Sequence, residues 1–282
     1  MYPDYTAKSN DSCIITHKIH VSPKIKHMSH HELFPTTKFP DVFRLANLAR
    51  LINTVEIPTE SLTRLEKTKD ILQNNPDMSV VAYANHPSYN DPVHAVPVVL
   101  SLDPDGLRHW IILASYSHTD EKDPKNRPFK LMTDTAESHY GIEPIRVVQT
   151  YQIDNPKYPE ITPELAFSVN IAFKRRMDEL SKNKQPVGVI VFMEGTRSTD
   201  NGILNDRMEK GGIAIIGRLF HPTLYQPFGI FGNMKRGINL GKEYCIQVGV
   251  PYIQQTISDE PIFTTLIHNL ADTLPIEKRG KW

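Results

Sequence analysis

The sequence predicts an α/β fold: a mixed, largely parallel sheet flanked by helices, with a short helical appendage at the N-terminus. Two observations support this prediction. Strand-like apolar runs alternate with helix-like stretches from Val80 onward. The run Val187–Met193 is apolar at almost every position, which is typical of a parallel strand buried on both faces. With 282 residues, 39% of them hydrophobic and 23% charged, the chain can bury a sizeable core.

The predicted elements follow in chain order. Amphipathic helices are expected at Asp41–Asn53 and Ser61–Gln73, because apolar residues recur there at helical spacing. Strands are predicted at Val80–Ala84, Trp110–Ala114, Ile145–Gln149, Val187–Met193, Leu224–Phe231 and Tyr244–Val250. Further helices are predicted at Pro92–Leu102, Pro163–Leu180, Lys210–Phe220 and Glu260–Leu274. Asp91 is expected to cap the first of these four, with Pro92 at its first position.

Two regions are expected. Residues 1–55 form a polar arm with one amphipathic helix, and residues 56–282 form the α/β domain. The arm carries the histidines His17, His20, His27, His30 and His31, without the cysteine or carboxylate pattern of a metal motif. A solvated tail is therefore preferred to a metal site.

Composition narrows the class of protein further. Lys plus Arg and Asp plus Glu number 32 each, so net charge does not indicate binding to nucleic acid. Cys13 and Cys245 make no disulfide framework, which favours a reducing cytosol. The first 30 residues lack the apolar core of a secretory signal, and no run approaches 18 apolar residues. The sequence predicts a cytoplasmic protein without a transmembrane helix.

The segment Asn-His-Pro-Ser-Tyr-Asn-Asp at 85–91 is the first candidate for chemistry. Residues five apart on a helix do not meet, so His86 and Asp91 can touch only across a turn, and Pro-Ser-Tyr-Asn is turn-forming. The spacing itself is not specific, because His118 and Asp123 share it. His86 is preferred because it follows a strand-like run and precedes a helix start. The alternative is a strand-end histidine beside an ordinary helix cap.

A second polar segment follows the predicted strand Val187–Met193. Its residues Glu194, Gly195, Thr196 and Arg197 fall past the carboxyl end of the strand, where open α/β sheets bind ligands. An arginine there can bind a phosphate through two parallel hydrogen bonds. A surface Glu–Arg pair would explain the charges, but it would not explain the order of the two segments.

Together and in this order, the two segments resemble the His-x4-Asp acyltransferase family of glycerolipid synthesis, the lysophosphatidate and glycerol-3-phosphate acyltransferases. The resemblance covers about residues 56–255. It implies transfer of a fatty acyl group from a thioester to a hydroxyl, with His86 as general base and Asp91 orienting it. The substrate-binding residues that it implies are Arg146, Glu194, Gly195, Thr196 and Arg197. It implies no metal, and no cofactor besides an acyl-coenzyme A or acyl-carrier protein co-substrate.

The chain departs from the family pattern in four places. Arg146 lies one residue closer to Gly141 than the family spacing, Pro144 stands between them, and Met193 replaces a proline. The segment between Arg146 and Glu194 is longer than in compact members and is expected to shape acceptor choice or to form a lid.

Several alternatives stay open at this point. The acceptor implied is a glycerol phosphate or a lysophospholipid, with an aminolipid or sugar lipid as alternatives. Peripheral contact with the inner membrane face is compatible with the resemblance. The main rival is a non-catalytic protein that binds an anionic lipid or phosphometabolite on the same fold. A phosphate-ester hydrolase is disfavoured, since the sequence lacks a metal carboxylate set and a nucleophile motif.

Overall fold

The computed structural model describes residues 54–88, 91–116, 133–134, 137–138, 140–195, 198, 202–205, 211–232, 243–255 and 262–282. Within these ranges an eight-stranded sheet forms the centre, with helices on both faces. The predicted α/β class, with its mixed and largely parallel sheet, is confirmed. Residues 1–53 of the predicted N-terminal arm, with its helix at Asp41–Asn53, lie outside the described residues, and the last two residues of the arm begin the first strand.

The strands are β1 (Thr54–Glu56), β2 (Ser79–Ala84), β3 (His109–Ser115), β4 (Glu143–Val147), β5 (Val187–Phe192), β6 (Thr223–Gly232), β7 (Glu243–Val248) and β8 (Tyr252–Gln254). Their order across the sheet is β1-β7-β6-β2-β5-β3-β4, and β8 also pairs with β6. The five strands from β6 to β4 are mutually parallel. β7 and β8 run antiparallel to β6, and β1 runs parallel to β7.

The helices are α1 (Thr59–Asn74), α2 (Asp91–Leu100), α3 (Pro163–Lys182), α4 (Gly211–Leu219) and α5 (Ile262–Ala271). Side chains of α1 and α2 pack on one face of the sheet, and those of α3, α4 and α5 pack on the other. α3 begins where the sequence predicts it, because the Thr162 side chain accepts the N–H of Leu165 and Pro163 fills the first helical position.

Two strands contain a proline, each at a position where the missing N–H is tolerated. Pro144 lies in β4, which has a single neighbour, so the missing N–H is tolerated at this edge. Pro227 lies in β6 between the residues that pair with β8 and those that pair with β7. Because an edge strand tolerates Pro144, β4 begins at Glu143, two residues before the predicted start at Ile145.

The short strands β1 and β8 were not predicted. Each has three residues, which is too short for a pattern of alternating polarity to stand out. Both exist because a longer neighbour, β7 or β6, offers its free edge for hydrogen bonding.

The chain leaves β2 and β5 in opposite directions. From β2 it passes over β5 to reach β3, whereas from β5 it passes over β2 to reach β6. The connecting helices α2 and α4 lie on opposite faces. In an open α/β sheet a crevice for a ligand usually opens at such a point, past the carboxyl ends of the two adjacent strands.

Candidate active site

The two predicted polar segments meet at this crevice. His86 follows β2, and Glu194 follows β5. The His86 backbone N–H donates to Glu194 Oε2 at 2.8 Å, and the Ser198 N–H donates to the His86 carbonyl at 2.8 Å. Residues that are 108 positions apart in sequence are thus in direct contact.

His86 and Asp91 form the central pair. The distance between His86 Nδ1 and Asp91 Oδ2 is 3.0 Å, so the chain makes the turn that contact across five positions requires. The Asp91 side chain is fully buried, whereas 20% of the His86 side chain is exposed. The imidazole also packs on Phe192, with 4.6 Å between the ring centroids. A buried carboxylate thus orients an imidazole that reaches the surface.

Asp91 collects further hydrogen bonds from the turn. Both the backbone N–H and the hydroxyl of Ser88 donate to its carboxylate at 2.6 Å. A carboxylate that accepts the N–H three residues before it is the relation found in a capping box. Asp91 lies within α2, whereas the sequence predicted it as the cap that precedes the helix. Its carboxylate reaches back toward His86 instead.

These donors determine which nitrogen of His86 carries the proton. Asp91 accepts from two groups of Ser88, as an ionised carboxylate does. Its contact with His86 is then a hydrogen bond donated by Nδ1–H. In the neutral imidazole Nε2 is left with a lone pair, which is the arrangement of a general base.

Glu194 is buried and bound by the protein's own groups. Its Oε2 accepts from the His86 N–H and the Ser198 hydroxyl, and its Oε1 accepts the Asn205 N–H at 2.8 Å. Burial raises the pKa of Glu194, and these three hydrogen bonds partly offset the rise. The contacts make this carboxylate a junction between the loop after β2 and the segment after β5. Its role in binding substrate stays a prediction.

Gly195 has a backbone conformation that favours glycine. Its φ angle is +63°, in the left-handed region, where an L side chain is strained. This turn directs the chain away from β5 toward Thr196 and Arg197, both of which lie outside the described residues. The phosphate-binding role of Arg197 therefore stays a prediction, as does the role of Thr196.

Arg146 lies at the same end of the sheet. It pairs in register with Ala114 of β3. Ile112 of β3 pairs with Ile190 of β5, so two residues further along Ala114 is level with Phe192. Side chains in register on parallel strands share a face, so exposed Arg146 faces the same side as Phe192. Two strand spacings, roughly 10 Å, separate their backbones.

The long segment after Arg146 also reaches the site. Its residues Val148 and Ile161 pack with Ala166 of α3 in a small apolar cluster. The Tyr151 hydroxyl donates to the Gly195 carbonyl at 3.4 Å. The segment therefore lies beside the turn after β5, and the predicted influence on acceptor choice, or role as a lid, stays open.

Several residues of the site were not singled out from the sequence. Asn85, next to His86, exchanges two 2.7 Å hydrogen bonds with the backbone of Ile230. The Tyr244 hydroxyl lies 3.2 Å from that of Ser88. Asn85 and Ser88 lie within two residues of His86, so their place in the same short polar segment is the signal that points to them. Tyr244 comes from a distant strand and leaves no signal in the sequence.

The first turn residues have no spare backbone donor. The N–H groups of His86 and Ser88 are engaged by Glu194 and Asp91, and Pro87 has no N–H. Residues 86–88 thus offer no backbone N–H to an oxyanion in this arrangement.

Two features are absent from the described part of the chain. Among those residues no helix is both long and apolar enough to cross a membrane. The same residues contain no group of three or more His, Cys, Asp or Glu side chains placed to hold a metal ion.

No protein-family model matches the chain, and a search of curated proteins finds no match.

Proposed function

We propose that this protein is an O-acyltransferase of the His-x4-Asp type, which moves a fatty acyl group from a thioester to a hydroxyl. The observation that carries the proposal is the contact between His86 Nδ1 and the buried carboxylate of Asp91. It leaves Nε2 as a base at a crevice past the carboxyl ends of β2 and β5. A metal or a covalent enzyme intermediate is not needed for this reaction.

The reaction proceeds by direct attack. The acceptor oxygen bonds to the thioester carbonyl carbon while His86 Nε2 takes the hydroxyl proton. Asp91 stabilises the imidazolium that forms, as the acid of a serine triad does. The tetrahedral intermediate then collapses, the carbon–sulfur bond breaks, and the imidazolium returns the proton to the leaving thiolate. The products are an ester and a free thiol.

The proposed acceptor is a glycerol phosphate or a lysophospholipid. Arg146 supports this choice, because it is exposed on the face and at the end of the sheet where His86 lies. Arg197 follows Glu194 by three residues and is proposed as the second cation for the phosphate. A lipid acceptor also makes peripheral contact with the inner membrane face part of the proposal.

The test is thioester consumption by the purified protein. Palmitoyl-coenzyme A or palmitoyl-carrier protein is offered with glycerol-3-phosphate, with lysophosphatidate or with no acceptor. We expect His86→Ala to reduce acceptor-dependent turnover by about 10²–10⁴-fold, the usual contribution of a general base. His118→Ala is the matched control, since His118 has the same spacing to Asp123, and it should retain activity. Asp91→Asn, which cannot orient the imidazole in the same way, should lose on the order of 10³–10⁴-fold.

The outcomes separate the proposed reaction from its rival. Acceptor-dependent turnover that falls by these factors in His86→Ala and in Asp91→Asn supports the transferase, and the acceptor that gives turnover identifies the acceptor class. Substantial turnover in well-folded His86→Ala would overturn the assignment. Binding of an anionic lipid without turnover, unaffected by His86→Ala, would favour a non-catalytic binding protein.

A further inference from the structure

The segment after α5 packs against residues 203–205, which follow the Gly195 turn in the segment after β5. The Leu204 N–H donates to the Lys278 carbonyl at 2.9 Å, and Trp282 Nε1 donates to the Asn205 carbonyl at 3.0 Å. The Trp282 ring packs against the core beneath the sheet and lies near His268. The Asn205 carbonyl is therefore bound by a partly buried indole.

The N–H of the same residue is bound by Glu194 of the candidate site. The Asn205 N–H donates to Glu194 Oε1 at 2.8 Å, and Glu194 Oε2 accepts the His86 N–H at 2.8 Å. Three hydrogen bonds thus lead from the indole of Trp282 through Asn205 and Glu194 to the backbone of His86. Because Glu194 is buried, water does not readily replace either of its two bonds in this series.

Gly280 permits the close approach that this packing needs. Its φ angle is +63°, and a Cβ atom built there would lie 2.8 Å from the Leu204 carbonyl oxygen. The two segments are thus in contact along their backbones, so a change in one displaces the other.

We propose that Trp282 is a positioning residue for His86. Its indole N–H fixes Asn205, Asn205 fixes Glu194, and Glu194 fixes the loop that carries the base. The effect on turnover rests on the proposed acyl transfer, whereas the effect on the His86 backbone does not. A distant aromatic side chain thereby sets the geometry of the reactive histidine.

The test compares two Trp→Phe substitutions that each remove one indole N–H. Trp282→Phe removes the bond to Asn205, and Trp110→Phe removes a 3.0 Å bond to Asp103 that has no link to Glu194. Amide hydrogen exchange at His86, followed by NMR, needs no substrate. We expect exchange at His86 to become roughly fivefold faster in Trp282→Phe and to be unchanged in Trp110→Phe once both are corrected for global stability.

Turnover gives the second readout. In Trp282→Phe, kcat should fall roughly tenfold, with KM for the thioester within about twofold, because the base is displaced while the thioester site is intact. Gly280→Ala should change both readouts in the same direction by forcing residues 203–205 to shift. Equal His86 exchange in the two Trp→Phe variants would overturn the positioning role. An inactive wild type with altered His86 exchange in Trp282→Phe would overturn only the acyl transfer.

Discussion

At the scale of single residues, the two carboxylates of the site contact different parts of His86. Asp91 accepts the Nδ1–H of His86 and two hydrogen bonds from Ser88, so its charge faces the imidazole. Glu194 contacts only the backbone of His86 and so holds the loop that carries the ring. The first orients the His86 ring, and the second fixes the backbone that carries it.

The buried Glu194 predicts a pH-dependent stability. Its pKa is raised above the ordinary value of 4.5, chiefly by burial. The folded protein therefore binds this proton more tightly than the unfolded chain. The stability contributed by the group is fully present below its ordinary pKa and is lost as pH rises through the raised pKa. We expect the free energy of unfolding of the wild type, relative to Glu194→Gln, to fall as pH rises from about 4.5.

Urea unfolding of both proteins across that pH range measures the difference. Glu66→Gln, on the exposed side of α1, corrects for the loss of one negative charge elsewhere. Parallel stability curves for the wild type and Glu194→Gln would contradict the prediction.

At the scale of elements, Asn85 continues the pairing of two strands after one of them has ended. β2 ends at Ala84, which is in register with Phe228. Asn85 then uses its side-chain amide to donate to the Ile230 carbonyl and to accept the Ile230 N–H. The side chain thus supplies both hydrogen bonds of a ladder step and frees the backbone to turn at His86.

This role predicts the effect of Asn85→Ala. The substitution leaves the buried N–H and carbonyl of Ile230 without these partners, and we expect it to destabilise the protein by about 2–4 kcal/mol. Thermal or urea unfolding gives the value. Asn74→Ala, which removes an exposed hydrogen bond to the Asp70 carbonyl, should change stability by less than about 1 kcal/mol. Similar losses in the two variants would argue against the bridging role.

At the scale of the whole molecule, the strand order gathers the candidate site at one edge. His86 and Glu194 follow adjacent strands, and Arg146 is on β4, two strands beyond β5. The crevice between β2 and β5 and the exposed cation on β4 therefore share one surface. An acceptor with its hydroxyl at His86 and its phosphate at Arg146 would reach across three strand spacings, from β2 to β4, which is roughly 14 Å between backbones.

This arrangement predicts separable effects on the two substrates. We expect Arg146→Ala and Arg197→Ala each to raise KM for a phosphorylated acceptor by roughly 10–100-fold, the equivalent of one charge-assisted interaction. KM for the thioester should change little. Arg175→Ala, an exposed arginine of α3 on the opposite face, is the control. Steady-state kinetics with each substrate varied in turn would show whether the arginines act on the acceptor; equal changes in both KM values would contradict this.

The sequence by itself determined the class of the fold and the position of the turn between β2 and α2. Apolar runs such as Val187–Met193 identify buried strands because burial on both faces requires apolar side chains on both. The polar residues at 85–91 and 194–198 identify strand ends, because turns need residues that satisfy or relax the backbone. These are local signals, and they were correct for β2, β5 and α3 within about two residues.

Only the tertiary structure decided which distant groups complete the site. Glu194 holds His86, Tyr244 lies beside Ser88, and Trp282 holds Asn205 because the strand order and the packing of the chain end bring them together. None of these contacts has a periodic or local signature, since each joins residues more than 70 positions apart. The short strands β1 and β8 are of the same kind, because a neighbour's free edge, rather than their own sequence, makes them strands.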